Sequence, residues 1–163
     1  MYAVVAFEIA ADMGTFDKID FVDDNAKTTP NGIEVIGTTD DIETLSFSYG
    51  NIIVAIGNPE VRLPLIEQIR KNTSYRIATL ISPKAHVSIS AEIGEGCIIE
   101  PMAVVHTASV LGTGCIVSAG AVINHASTCC DAVHVDCGAI VAGYSFVPSK
   151  TKIQSGDVYK NVK

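Results

Sequence analysis

From Ile81 onward the chain counts in sixes. Cut every six residues, it places Ile81, Val87, Ile93, Ile99, Val105, Leu111, Val117, Ile123, Cys129, Val135, Val141, Val147 and Ile153 at the head of successive hexads. All are aliphatic except Cys129, a small apolar thiol. The fifth position is Ala85, Ala91, Cys97, Ala103, Ser109, Cys115, Ala121, Ser127, Val133, Ala139, Ser145, Thr151 and Asp157, small except at Val133 and Asp157. A phase held this long without a frameshift marks a β-helix solenoid. A branched residue fills the interior, and four positions later the wall turns a corner that admits only a small side chain. Single apolar runs do not separate buried strands from helices; thirteen in phase do.

Composition narrows the rest. At 163 residues the chain is one domain or two small ones. Aromatics are 6% and tryptophan is absent, which suits a narrow prism with little room for large rings. The net charge of -7 and the lack of a basic run argue against nucleic acid as a partner. No apolar stretch approaches the roughly 18 residues of a membrane span. No basic segment leads the N-terminus as in a secretory leader, so a cytoplasmic location is expected. Of five cysteines, Cys97, Cys115 and Cys129 fall at inward hexad positions, where thiols act as small hydrophobes. Their spacing does not suit zinc, and no metal is expected.

Residues 1–80 follow another rhythm and read as a small α/β unit, distinct from the solenoid of residues 81–163. Tyr2 to Met13 reads as a helix stopped by Gly14. Ile19 to Val22, Asn51 to Ile56 and Tyr75 to Leu80 read as strands. Asn31-Gly32 signals a turn. Thr38 and Asp41 have capping-box spacing ahead of a short helix. Asn58 is placed to cap a further helix with Pro59 at its first position, and Pro64 is expected to kink or restart it. A nucleotide-binding α/β domain opens on a strand and a glycine-rich turn. This chain opens directly in the helix, so the unit is expected to be a truncated Rossmann-like one.

The histidines His86, His106, His125 and His134 all lie in the repeats and none leads a hexad, so corners or outward faces are expected for them. A histidine held against a rigid wall suits general base chemistry near neutral pH. The run Ser118-Ala119-Gly120-Ala121-Val122-Ile123-Asn124-His125 is followed by His134-Val135-Asp136-Cys137-Gly138-Ala139-Ile140-Val141-Ala142-Gly143. This two-histidine segment resembles the sialic acid O-acetyltransferase and bacterial sugar N-acetyltransferase (NeuD/PglD-like) family, which reads I-x-H and then H-[IV]-x-x-G-A-x-x-A-G. Phe21 to Asn25, Gly37-Thr38, Asp40-Asp41 and Ala55-Ile56-Gly57-Asn58 stand in that family's order too. The resemblance spans about residues 3 to 143.

The resemblance implies a left-handed parallel β-helix of three hexads per coil. It also implies a homotrimer and acetyl-CoA-dependent acetylation of an amino or hydroxyl group on a sugar or nucleotide sugar. His125 would be the base, the Gly143 N–H would receive the oxyanion, and His134 would lie near the acetyl group and cofactor. Asp23, Asp24, Gly57 and Asn58, at strand C-termini, would hold the acceptor. The sequence departs from the pattern at Ala126, where sugar N-acetyltransferases of this type often carry an acid. It also lacks the glycine-rich loop and has few coils after Gly143. Transfer to another small acceptor such as serine, and a non-catalytic solenoid used for assembly, remain as alternatives. A γ-type carbonic anhydrase shares the solenoid, but its close zinc histidines have no counterpart here.

Overall fold

The computed structural model describes residues 2–161. Helix α1 (Tyr2–Met13) ends where expected, at Gly14, whose φ of +63° and N–H bond to the Ala11 carbonyl close the last turn. β1 (Phe21–Val22) pairs in parallel with β2 (Val35–Gly37). A 3-10 turn at Thr39–Asp41 runs into α2 (Ile42–Leu45). The Asp41 carboxylate accepts from the Thr38 N–H at 2.8 Å and its hydroxyl at 3.0 Å, so the spacing of Thr38 and Asp41 is used as read. β3 (Asn51–Ile52) pairs in parallel with β4 (Arg76–Ile77), and α3 (Pro59–Asn72) connects them.

Asn58 caps α3, its Oδ1 accepting the Glu60 N–H at 3.0 Å. Pro64 does not restart that helix, which runs unbroken from Pro59 to Asn72. Both Pro64 and Glu60, whose carbonyl loses the i+4 donor, lie on the exposed face, where water takes over the acceptor. The expected strand Tyr75–Leu80 divides between two sheets. Ala78 still donates to Ile52 of β3 at 2.8 Å, but Leu80 donates to Cys97 of the solenoid at 2.8 Å. Leu80–Ile81 is therefore β5, the first strand of the coil.

Fourteen two-residue strands, β5 (Leu80–Ile81) to β18 (Val158–Tyr159), form three parallel sheets of a left-handed β-helix. Each strand pairs with the one 18 residues on, as Ile116 with His134 and Val122 with Ile140. One further lead residue, Tyr159, closes the last coil and was not counted from the pattern. The lead residues and the small fifth-position residues share one core. The pivot of each corner is the fourth position rather than the fifth. From Gly96 to Gly156, eleven successive fourth positions have positive φ, six of them non-glycine: Met102, Ala108, Ala126, Ala132, Tyr144 and Lys150. A left-handed non-glycine residue costs about 1–2 kcal/mol. The coil below offsets it, since the pivot N–H donates back to it, as Ala126 does to Thr107 at 3.0 Å.

The fifth position returns inward, and where it carries a donor it makes a rung. Cys97 Sγ reaches the Gly112 carbonyl, Ser109 Oγ that of Asn124, Cys115 Sγ that of Cys130 and Ser127 Oγ that of Ala142, each 15 residues on. Burial pushes the Cys129 thiol up to about 12, so it packs as a neutral side chain. The α/β unit lies against the sheet led by β5: Ala6, Ile9 and Ala10 of α1 pack on Leu80, Ile98 and Ile116. A second core, Ile42, Val54, Ile66, Ile69 and Ile77, holds α2 and α3 to β3 and β4.

Candidate active site

The corner that carries His125 is pinned before its side chain is considered. β12 (Val122–Ile123) ends at Asn124, whose N–H donates to Val141 at 3.0 Å and whose carbonyl accepts the Ser109 hydroxyl at 2.9 Å. Ala126 then turns the chain at φ +53°. The exposed His125 ring is held by its neighbour. Asn124 Oδ1 lies 3.0 Å from the His125 backbone nitrogen and 2.9 Å from Nδ1. Only the amide oxygen can accept from the backbone N–H, so the same oxygen faces Nδ1, which must then carry the ring proton. Nε2 is left with its lone pair outward.

Gly143 is the same hexad position one coil on. A β-carbon built there would stand 3.0 Å from both Cε1 and Nε2 of His125. His125 and Gly143 are thus brought together. Among the described residues, the Gly143 N–H has no hydrogen-bond acceptor. Tyr144 packs edge-on against the imidazole, with ring centres 5.0 Å apart and planes at 90°.

His134 occupies a different place. It lies on the outward face of β14 (His134–Val135), but α1 and the loop after β3 cover that face, leaving the residue 5% exposed. Nδ1 approaches the Gly57 carbonyl at 3.4 Å and Nε2 faces Ser118 Oγ at 3.2 Å. A carbonyl only accepts, so Nδ1 bears the proton and Nε2 accepts from the serine. The Tyr2 ring lies 6.2 Å away, its hydroxyl donating to Glu100 Oε1 at 2.5 Å. Glu100 Oε2 accepts the Ala119 N–H at 3.0 Å. Burial, followed by the nearby Glu100 charge, drives the Tyr2 phenol far above its ordinary range. This network joins α1 to the coil carrying His134.

Arg62 completes the junction. It is fully buried on α3 and donates only to carbonyls: Nε to Gly114 at 2.7 Å, Nη1 to Ile56 at 2.6 Å and Gly57 at 2.9 Å, Nη2 to Ala132 at 2.9 Å. The loop that holds Gly57 and Asn58 is thereby fastened to two solenoid corners. Burial lowers the proton affinity of the guanidinium.

Asp23 and Asp24 line a cleft of about 740 Å³ in the α/β unit. Asp23 Oδ1 accepts the N–H groups of Asn25 and Ala26 at 2.8 and 2.9 Å, while Asp24 Oδ1 accepts the Thr39 N–H at 2.7 Å and its hydroxyl at 2.9 Å. Both carboxylates shape loops and keep lone pairs for a ligand. The expected residues therefore form three groups: His125 with Gly143, His134 with Gly57 beside the Asn58 cap, and Asp23 with Asp24. Asn124, Tyr144 and Arg62 escaped the sequence reading. The 18-residue spacing, applied to side chains rather than strands, pairs His125 with Gly143 and puts Tyr144 beside them. Among the described residues no group of three or more His, Cys, Asp and Glu could hold a metal ion, and no helix is long and apolar enough to cross a membrane.

The buried imidazole makes stability pH-dependent. Burial first, then the Lys152 charge, holds His134 below its ordinary range. Its folded value is depressed, so below about pH 6.5 the unfolded chain binds a proton that the folded chain refuses. Stability is full above that pH and is lost as pH falls toward the folded value. His134→Gln should flatten the dependence of Tm on pH between about 5 and 7. Thermal melts at several pH values check this, and an unchanged slope would rule it out.

The chain matches the family model of the PglD N-terminal domain over residues 2–69 and that of the bacterial transferase hexapeptide (six repeats) over residues 90–125. No curated protein matches it. Among solved structures, the acetyltransferase domain of PglB from Neisseria gonorrhoeae FA1090 is 34% identical, with a TM-score of 0.93 over 98% of this chain and 78% of that one. The same domain solved with acetyl coenzyme A gives a TM-score of 0.92. A variant of perosamine N-acetyltransferase from Caulobacter crescentus, in complex with CoA and GDP-perosamine, shares the fold at 22% identity, with a TM-score of 0.86 over 99% of this chain and 85% of that one. With both family patterns in order along one polypeptide and a relative of this identity over most of both lengths, the chain belongs to the NeuD/PglD-like family of hexapeptide-repeat acyltransferases.

Proposed function

We propose that the chain transfers acetyl from acetyl-CoA to the amino group of a nucleotide-linked sugar, with His125 as general base. The observation that carries the reading is the ring lock: Nδ1 on Asn124, Nε2 free beside Gly143. Nε2 takes a proton from the acceptor amine as its nitrogen attacks the thioester carbon. The Gly143 N–H receives the developing oxyanion, a term of roughly 3–4 kcal/mol per donor. Collapse expels the CoA sulfur, which leaves with the proton from His125. Relatives support the two substrates: one is solved with acetyl coenzyme A, another with CoA and GDP-perosamine.

Asn124 also favours nitrogen over oxygen as acceptor. An amide oxygen fixes the tautomer without adding the negative charge by which a carboxylate stabilises imidazolium. An amine already offers a lone pair; a hydroxyl needs more help from its base. The α/β unit, residues 1–80, would hold the acceptor through Asp23, Asp24, Gly57 and Asn58, and the solenoid, residues 81–163, the acetyl donor. His134, tied to the Gly57 carbonyl, links the two.

The test is thiol release from acetyl-CoA with nucleoside-diphosphate amino sugars, their hydroxy counterparts, free amino sugars and serine. Turnover confined to the amino sugars is expected; thiol release with none of them overturns the reading. Gly143→Ala should lower kcat about 10–100-fold, because its methyl displaces Nε2. The ring is at the surface and the Gly143 φ is not positive, so Tm should hold within about 2 °C. A variant with wild-type kcat would contradict the pairing.

A cytoplasmic homotrimer is the assembly this reading favours. His125 stands on an open wall, and Ile89, in the same column, is fully exposed, so a second copy would supply the missing side of the pocket. Sedimentation of a fully active monomer would exclude it.

A further inference from the structure

The left-handed pivots show which side chains a solenoid corner ordinarily takes. Of the eleven from Gly96 to Gly156, five are glycine and three alanine. Met102 and Lys150 carry unbranched, flexible chains, and Lys150 has a structural task, reaching Glu60 of α3 at 2.8 Å. Tyr144, at φ +60°, is the one aromatic among the eleven.

Packing does not account for a tyrosine there. The residue is 62% exposed, so little of its apolar surface leaves water. Its hydroxyl has no hydrogen-bond partner among the described residues. The corner needs only its backbone: the Tyr144 N–H donates to the His125 carbonyl at 3.1 Å, as the Ala126 N–H donates to Thr107 one coil earlier. Ala108 and Ala126 turn the same column with a single methyl, at φ +55° and +53°. A bulky residue held in a disfavoured conformation without a packing reason directs attention to what its side chain touches.

It touches the candidate base. The Tyr144 and His125 rings are 5.0 Å apart and perpendicular, a favoured edge-to-face geometry. His125 is exposed, and its hydrogen bond to Asn124 restrains it at one atom, Nδ1. Water competes for that bond at the surface. Gly143, on the Nε2 side, has no side chain to support the ring. A polar residue in place of Tyr144 could bond Nε2 and occupy the lone pair that the reaction uses. An aromatic ring restrains the imidazole and leaves that lone pair free. An edge-to-face pair favours one rotamer over its competitors by about 2- to 12-fold.

We propose that Tyr144 is a positioning residue: its ring holds the His125 imidazole in the rotamer that keeps Nε2 beside Gly143. The inference rests on His125 being the base. Tyr144 acts through that ring and takes no part in the proton transfer.

Steady-state kinetics test this, with the amino sugar that turns over fastest in the thiol-release panel. Tyr144→Ala should lower kcat about three- to tenfold and leave KM for acetyl-CoA and for the amino sugar within about twofold. Its Tm should hold within about 2 °C, because alanine already turns this column one coil earlier. Tyr144→Phe keeps the ring and should restore at least about half of the wild-type kcat. In a His125→Ala background, Tyr144→Ala should cost less than about 1.5-fold further, since no imidazole remains to be positioned. Wild-type kcat in Tyr144→Ala, a phenylalanine variant as slow as the alanine one, a loss confined to KM, or a full loss in the His125→Ala background would each overturn the role of Tyr144. Near-wild-type kcat in His125→Ala alone would overturn the base and the role of Tyr144 with it. A large loss there, with none in Tyr144→Ala, would overturn only the second.

Discussion

His125→Ala should lower kcat by about 10²–10⁴-fold, the contribution expected of a positioned general base, and should leave the CoA dissociation constant within a few-fold. In barrier terms this is roughly 3–5 kcal/mol. The loss falls on chemistry because the ring is exposed and carries little of the fold: its contacts are Asn124, Gly143 and Tyr144, and none of the core residues rests on it. Tm should therefore stay within about 2 °C of wild type. His86→Ala and His106→Ala serve as controls, both exposed and in earlier coils. Asn124 supplies a finer test. Asn124→Ala frees the tautomer and should cost about tenfold in kcat. Asn124→Asp keeps the acceptor and adds charge, so the midpoint of the kcat–pH profile should move upward by about one unit. A His125→Ala enzyme with near-wild-type kcat on a verified acceptor would remove the base and leave the non-catalytic solenoid as the better reading.

The solenoid was legible because its rule is local and repeated: a branched residue every sixth position, read without knowledge of the rest of the chain. The same held for α1 and for the Asn58-Pro59 start of α3, where capping chemistry lies in adjacent residues. What was hidden depended on partners distant in sequence. Val35–Gly37 is a strand only because β1 lies beside it. Tyr75–Leu80 reads as one strand, yet its hydrogen bonds pass from β3 to the coil within three residues. His134 sits at an outward hexad position, and its burial follows from α1 lying over that face. The absence of an acid at Ala126 was visible; the contact from Asn124 was not. Asn124 reaches the ring because the turn at Ala126 sets its amide against the backbone N–H and Nδ1 of the next residue.

Arg62→Met should destabilise the chain by about 3–5 kcal/mol. Hydrophobic replacement of a buried charge is sometimes neutral, when both partners become apolar together. Here the partners are backbone carbonyls, which no side-chain substitution removes. Gly114, Ala132 and Ile56 would lose the Arg62 donor at once, Gly57 would keep only His134 Nδ1, and a buried unsatisfied acceptor costs about 1–3 kcal/mol. Relaxation toward water recovers part of that sum, which sets the lower total. For a chain of this length the expected fall in Tm is about 10 °C. Arg62→Lys should rescue little: one ammonium on a flexible stem cannot span two solenoid corners and the Ile56–Gly57 loop together. Because the guanidinium ties the α/β unit to the coil, its loss should also split the melt, the α/β unit unfolding ahead of the solenoid. Far-ultraviolet circular dichroism separates the helical signal of the first from the β signal of the second. A single transition within about 2 °C of wild type would mean that α1 packing and the Glu100–Tyr2 contact hold the two parts together without Arg62.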